Sequence, residues 1–364
     1  MKKLKFSIIG CGRISYKHIE GLAKNFEEAE LVAVCDIVIE RANKRSEEYY
    51  NLCGIEPLVY NDYRKMLDEV PIDAIAITTE SGYHSEISIY CLNLGKHVLV
   101  EKPMALSTAD AKNMIAAAEQ NKVKLAVCHQ NRFNLPIKQL REAIDKGRFG
   151  KLINGTARIL WSRDMSYYKQ APWRGTWEQD GGTLMNQCIH NIDLLQWMMG
   201  GEIDTIYAQT GNYIRSIDAE DFGAIIIRFK NKAIGIVEGT ACVYPKNLEE
   251  TLSIFGETGT VCIGGLAVNK IETWQFADEL EDEVALTSFK DDDPDTVYGF
   301  GHIPLYKDFI DAIIMNKQPL ISGKEGIKAM QIILAAYKSQ KTGMPIKYEG
   351  LEFSTIEMKN SDIR

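Results

Sequence analysis

The chain has 364 residues, 45% hydrophobic and 25% charged, which is enough for two domains with separate cores and lacks the composition of a disordered chain. Its 50 acidic and 42 basic side chains give a formal charge of −8, which argues against a nucleic-acid partner but leaves room for a local basic pocket. The longest apolar runs, such as Ala74 to Ile77 and Ala224 to Ile227, are strand-sized and fall short of the roughly 20 residues a membrane helix needs.

The eight cysteines are scattered, mostly beside apolar residues, without CxxC spacing, and so read as reduced thiols of a cytoplasmic protein with no metal. The start, MKKLKFSIIGCGRIS, reads as a strand running into a glycine motif rather than a signal peptide.

From residue 4 to about 128, short apolar runs alternate with helical stretches. Lys5 to Ile9, Leu31 to Cys35, Ala74 to Thr78, His97 to Val100 and Lys124 to Cys128 read as strands. Ser15 to Asn25, Val38 to Tyr49, His84 to Leu94 and Ser107 to Asn121 carry apolar residues at three- and four-residue spacing and read as helices. Strands that alternate with helices predict a parallel, doubly wound sheet. After residue 130 the rhythm changes. A helix is expected at Pro136 to Lys146, a strand near Ile153 to Trp161, an aromatic loop, and a helix from about Gly182 to Met199. Ile203 to Asn212, Phe222 to Phe229, Ala233 to Val243 and Thr251 to Gly256 then predict an antiparallel meander, closed by helices at Ile303 to Ile314 and Lys324 to Gln340. The fold class is therefore α/β, with a nucleotide-binding domain over 1–129 and a second domain with an open, mostly antiparallel sheet over 130–364.

Gly10-Cys11-Gly12-Arg13-Ile14-Ser15 follows the first strand and opens the first helix. Glycines there let the backbone turn tightly and approach a pyrophosphate, whose charge the helix N-terminus favours; a tight turn alone is the plainer reading. Ser15 stands where a third small residue belongs. About 20 residues on, Asp36 ends the second strand, where a carboxylate can accept from an adenosine ribose and repel a 2′-phosphate. That favours NAD over NADP, with helix capping as the alternative role for Asp36.

Glu101-Lys102-Pro103 follows the fourth expected strand and puts Lys102 at the carboxyl edge of the sheet, where open α/β folds bind ligands. Lys102 there either stabilises a developing alkoxide or is a plain surface lysine. Further on, Asn186, His190 and Asp193 lie on one face of the helix that starts at Gly181-Gly182, which makes His190 a candidate acid or base rather than a packed residue.

Together, GCGRIS, Glu101-Lys102-Pro103 and the glycine-led helix with His190 resemble the Gfo/Idh/MocA oxidoreductases over nearly the whole chain. The resemblance implies an NAD-dependent dehydrogenase that oxidises a sugar hydroxyl, with Lys102 and His190 catalytic. The family's acidic position, four residues before the histidine, is Asn186 here. With Tyr167-Tyr168, Ala171 to Trp177 and Leu184 to Gln187, this is similar to the subgroup that oxidises the 3-hydroxyl of UDP-N-acetylglucosaminuronate for surface-polysaccharide synthesis. The same resemblance implies that Asn186, Arg163, Arg174, Tyr168 and Asp193 meet the substrate, and that Thr79, Ser81, His84, Glu101, Lys102, Trp173 and Arg174 join Gly10, Gly12, Arg13, Ile14 and Asp36 around the cofactor. Glu80 replaces a proline common in relatives, which puts the local loop geometry in question. Arg158, Arg163 and Arg174 offer forks for a carboxylate or diphosphate, or else form surface ion pairs. A homodimer or homotetramer covering the open sheet is expected. A free-sugar or inositol dehydrogenase and a non-catalytic NAD- or sugar-sensing regulator are the rival readings.

Overall fold

The computed structural model describes residues 3–200, 202–278, 298–359 and 361. The chain forms two compact units, Met1–Gln130 with Gly301–Ile327, and Asn131–Phe300 with Lys328–Arg364. The first unit therefore takes in a segment from late in the chain, beyond the continuous 1–129 expected from the sequence.

In the first unit, β1 (Leu4–Ile9), β2 (Ala29–Cys35), β3 (Leu58–Tyr60), β4 (Ala74–Ile77), β5 (His97–Val100) and β6 (Leu125–Val127) form a parallel sheet in the order β3-β2-β1-β4-β5-β6. β4 is buried along its whole length, as a strand covered on both faces must be. The helices are α1 (Ser15–Lys24), α2 (Ile39–Cys53), α3 (Tyr63–Glu69), α4 (His84–Asn93) and α5 (Thr108–Gln120). α1 buries Ser15, His18, Ile19 and Leu22, the three- and four-residue spacing of one helix face. α5 is capped by Ser107, whose Oγ accepts from the Asp110 N–H at 3.0 Å.

The second unit holds α6 (Leu135–Asp145), β7 (Leu152–Leu160), the short α7 (Met165–Tyr168), a π-helical turn over Leu184–Cys188, and α8 (Ile189–Met199). Its eight-stranded sheet adds β8 (Ile203–Gly211), β9 (Phe222–Phe229), β10 (Ile234–Thr240), β11 (Glu249–Gly256), β12 (Gly259–Gly264), β13 (Lys270–Phe276) and β14 (Ile346–Lys347), in the order β13-β12-β11-β7-β10-β9-β8-β14. This sheet is mixed rather than a plain meander, because β7 lies between β10 and β11 and runs parallel to β10. α9 (His302–Ile314) belongs to the first unit, and the long α10 (Gly323–Thr342) begins there and continues in the second. No helix among the described residues is long and apolar enough to cross a membrane.

Candidate functional site

In the first unit the end of β1 delivers the glycine loop. Gly10 has φ +93°, and a Cβ there would lie 2.7 Å from the backbone of Thr78 and Thr79 at the end of β4, so only glycine fits. A Cβ on Gly12 would meet nothing within 4 Å. Its backbone therefore borders open space, the cradle that a pyrophosphate needs. α1 starts with no side-chain cap and no acidic residue in its first turn, which leaves its positive end to an anion. Arg13 is exposed and Ile14 half-exposed beside this opening.

Ser15 has a use that glycine or alanine would not. Its Oγ donates to the Gly12 carbonyl at 2.7 Å and accepts from Arg45 Nε of α2 at 2.7 Å, tying the loop to the neighbouring helix. Asp36 accepts from the Cys11 N–H at 2.7 Å through one oxygen and from the Val38 N–H at 2.8 Å through the other. It does not cap α2, whose N-cap is Val38. The carboxylate braces the loop against β2, and each oxygen keeps a further lone pair.

After β4, Thr79 leads into a 3₁₀ turn over Ser81–Tyr83. Glu80 has φ −64°, the angle proline would impose, so the loop takes the proline-compatible path without that residue. The His84 Nδ1 faces the Pro103 carbonyl at 2.7 Å and its Nε2 faces the Thr79 carbonyl at 3.0 Å. Burial lowers the His84 pKa while its two carbonyl contacts act to raise it, and through these contacts the ring ties the β4 loop to the Lys102-Pro103 turn, whose peptide bond is cis. Lys102 is half-buried at that edge.

In the second unit the glycine pair before the π turn has a steric cause. Gly182 has φ +98°, and a Cβ there would sit 1.8 Å from Glu220 Oε2. Glu220 fills that space and accepts from the Leu184 N–H at 2.7 Å and from the Tyr337 hydroxyl at 2.9 Å. The π turn leads directly into His190, half-buried in the first turn of α8.

Beside it runs one connected polar array. Gln187 Nε2 donates to Tyr167 Oη at 2.8 Å and to Asn186 Oδ1 at 2.6 Å, Asn186 donates to Asp180, and Arg163 Nε donates to Gln187 Oε1 at 2.9 Å. Arg174 donates to Tyr167 Oη and stacks on Tyr167 and Trp173, with its guanidinium carbon 4.3 and 4.5 Å from the ring centroids. The array holds two guanidiniums, two amides, a phenol and the buried Asp180 carboxylate, with the guanidiniums able to meet an anionic group and the amides to meet hydroxyls.

Residues 4–129 match the oxidoreductase family with an NAD-binding Rossmann fold, and residues 137–262 match the GFO/IDH/MocA C-terminal domain. The WlbA dehydrogenase of Bordetella pertussis, solved with NADH and UDP-GlcNAcA, is 36% identical, covering 95% of this chain and 98% of its own, with a TM-score of 0.85. The chain belongs to the Gfo/Idh/MocA oxidoreductases.

Like its family, this Gfo/Idh/MocA protein is an NAD-dependent dehydrogenase acting on hydroxyls of the sugar or inositol type. The WlbA dehydrogenase of Chromobacterium violaceum, also solved with NADH and UDP-GlcNAcA, is 34% identical over 95% of this chain and 96% of its own, with a TM-score of 0.85. The myo-inositol 2-dehydrogenase of Thermotoga maritima is 26% identical over 95% of this chain and 99% of its own.

Three residues expected to meet ligand are placed elsewhere. Asp193 is fully buried, and its two oxygens accept from Arg132 Nε and a terminal nitrogen at 2.7 Å each, so it faces the core and not a sugar. Tyr168 is buried against Gly175, and burial raises its pKa; its neighbour Tyr167 is the member of the pair in the polar array. The Glu101 side chain turns into the first unit, where His18 and the Lys102 N–H engage it, and not toward a cofactor. Arg158 is taken up by ion pairs with Glu238 and Glu249 at 3.0 and 2.8 Å. Sequence reasoning also missed Tyr167, Gln187, Asp180 and Arg45. Tyr167 and Gln187 carried a signal through their places in the Tyr167-Tyr168 and Leu184 to Gln187 segments, whereas Asp180 and Arg45 carried none.

Proposed function

We propose that the protein oxidises the 3-hydroxyl of UDP-N-acetylglucosaminuronate to a ketone, supplying amino-sugar synthesis for surface polysaccharide. The observation that carries this reading is the array joining Arg163 and Arg174 through Gln187 and Tyr167. A neutral polyol presents no charge to meet two guanidiniums, whereas a uronate carboxylate or a diphosphate does. The greater identity to the WlbA enzymes, 36% against 26% for the inositol dehydrogenase, supports it.

Gly10, Gly12 and Asp36 would hold NAD, which would supply the hydride acceptor. His190 takes the proton of the sugar hydroxyl, and Lys102 holds that oxygen and stabilises the negative charge it gains. Asn186, anchored on Asp180, orients the sugar ring.

Tyr207, Ile226 and Ile236 pair across β8, β9 and β10 and are 37, 51 and 41% exposed, an apolar row that supports a homodimer or homotetramer formed through this face. Myo-inositol oxidation is the second reading, favoured by the full-length similarity to the Thermotoga enzyme. Incubation of UDP-N-acetylglucosaminuronate with protein and NAD, with and without 2-oxoglutarate, followed by mass spectrometry tests the choice. Loss of two hydrogens from the nucleotide sugar is expected. An unchanged nucleotide sugar, with myo-inositol oxidised in parallel, would decide for the second reading.

A further inference from the structure

The first unit contains a buried polar cluster that the proposed chemistry does not use. His18 of α1, Glu101 after β5 and His302 at the start of α9 each bring one ligand-type atom within 4.8 Å of the others, and all are more than 90% buried. Tyr306, one turn beyond His302, adds its hydroxyl at 2.9 Å from His18 Nδ1. The fit around that ring is close. A Cβ on Gly21 of α1 would come within 2.5 Å of Tyr306 Cδ2, and Phe6 and Phe309 flank the cluster with ring centroids 5.9 Å from Tyr306 and 6.2 Å from Phe6 respectively.

Donors and acceptors assign the protons. A phenol donating to His18 Nδ1 leaves the Nε2–H of that ring to donate to Glu101 Oε1 at 3.0 Å. Glu101 Oε2 accepts the backbone N–H of Lys102 at 3.2 Å. His302 places Nε2 at 3.7 Å from Glu101 Oε1, and neither of its ring nitrogens has a nearer partner. Burial lowers the His302 pKa, so the ring stays neutral. Burial would also raise the Glu101 pKa, but the His18 hydrogen bond and the nearby His302 ring outweigh it and hold the carboxyl well below the ordinary range. A carboxylate this deeply buried is costly unless donors surround it. Here His18 of α1 and the Lys102 N–H provide the donors, while α9 supports His18 through Tyr306 and places the His302 ring 3.7 Å from Glu101 Oε1.

We infer that His18, His302 and Tyr306 are positioning residues that act through the Glu101 carboxylate to fix Lys102 for catalysis. The inference rests on the proposed role of Lys102. It also gives the late-chain segment 301–327 a purpose in the first unit, since α9 brings both His302 and Tyr306.

The test is steady-state kinetics with UDP-N-acetylglucosaminuronate, or with myo-inositol if that sugar is inert, together with NADH fluorescence titration. The variants are Glu101→Gln, Tyr306→Phe, Lys102→Met and the Glu101→Gln/Lys102→Met double. Glu101→Gln should lower kcat about 10- to 100-fold with KM and NADH affinity within about two-fold, because misplacement and not binding is what changes. Tyr306→Phe keeps the ring packed and deletes one oxygen, so it should fold and lower kcat by a smaller factor. The double variant should be no slower than Lys102→Met alone. Wild-type kcat in Tyr306→Phe and Glu101→Gln, where Lys102→Met abolishes turnover, would overturn the inference. So would one equivalent of tightly bound divalent metal in the purified protein, since these three side chains would then be its ligands. Full turnover in Lys102→Met would instead remove the reading of Lys102 itself.

Discussion

Arg132 and Asp193 form a bidentate ion pair, two bonds of 2.7 Å between side chains no more than 1% exposed. The guanidinium carbon also lies 4.7 Å from the centroid of Trp197. Breaking one side of such a pair leaves a buried charge without its counterion, at a cost of about 3–5 kcal/mol. Asp193→Ala should therefore lower the urea midpoint sharply, while the protein that remains folded keeps its KM for the sugar. A raised KM with unchanged stability would put Asp193 back among the substrate contacts.

Gly12 and Gly182 separate cofactor binding from folding. A methyl at Gly12 meets open space, so Gly12→Ala should keep the melting temperature within about 2 °C but weaken NADH binding at least about ten-fold if the pyrophosphate lies there. A methyl at Gly182 meets the Glu220 carboxylate at 1.8 Å on a backbone with φ +98°, so Gly182→Ala should fail to give stable protein. Calorimetry and NADH titration on the two variants decide both points.

Much of the first unit was legible because local patterns make it. β1, β2, β4, β5 and β6 are short apolar runs, and α1, α4 and α5 match their apolar spacing to within a residue or so. β3 was not legible because three residues with an exposed Leu58 carry no apolar run. In the second unit the antiparallel reading missed that β7, far back in sequence, inserts beside β10, a long-range pairing that no local turn signal encodes. β12 and β13, two further antiparallel strands, went unread as well.

The candidate site shows the same divide. Gly10, Gly12 and Asp36 could be found from motif and spacing, and the structure groups them at one loop. Asp193 was misplaced because α8 is buried nearly all round, so helical spacing could not tell an inward face from an outward one. The π turn before it also changes the register between Asn186 and His190. The His18, Glu101, His302 and Tyr306 cluster joins residues up to 288 apart, and nothing local announces it.

Glu220 and Glu250 are both buried carboxyls whose pKa is pushed up to about 8, in each case chiefly by burial. A carboxyl with a raised folded-state pKa contributes stability that is full below its unfolded value near 4.5 and is lost as pH rises through about 8. Glu220→Gln removes that penalty and can keep an acceptor toward Leu184 and Tyr337. The stability difference between variant and wild type should therefore shift in the variant's favour by on the order of 2–4 kcal/mol between pH 5 and 9. Urea unfolding at a series of pH values measures it, and a pH-independent difference would show that Glu220 does not carry its proton in the folded protein.

Arg174 provides the sharpest test of ligand charge. Its guanidinium stacks on Tyr167 and Trp173 and shares the Tyr167 hydroxyl with Gln187, so it is held in place before any ligand arrives. If it meets an anionic group of a nucleotide sugar, Arg174→Lys should already be costly, because an ammonium cannot reproduce the planar fork or the stacking. KM for UDP-N-acetylglucosaminuronate should rise about ten-fold or more in Arg174→Lys and further in Arg174→Ala, corresponding to a charge-assisted bond of about 1.5–3 kcal/mol. Addition of guanidinium ion should recover part of the Arg174→Ala loss. Oxidation of a neutral sugar or inositol by the same variants should change little. Equal losses on charged and neutral substrates would mean that Arg174 serves the loop and not the ligand, and would remove the observation on which the nucleotide-sugar reading stands.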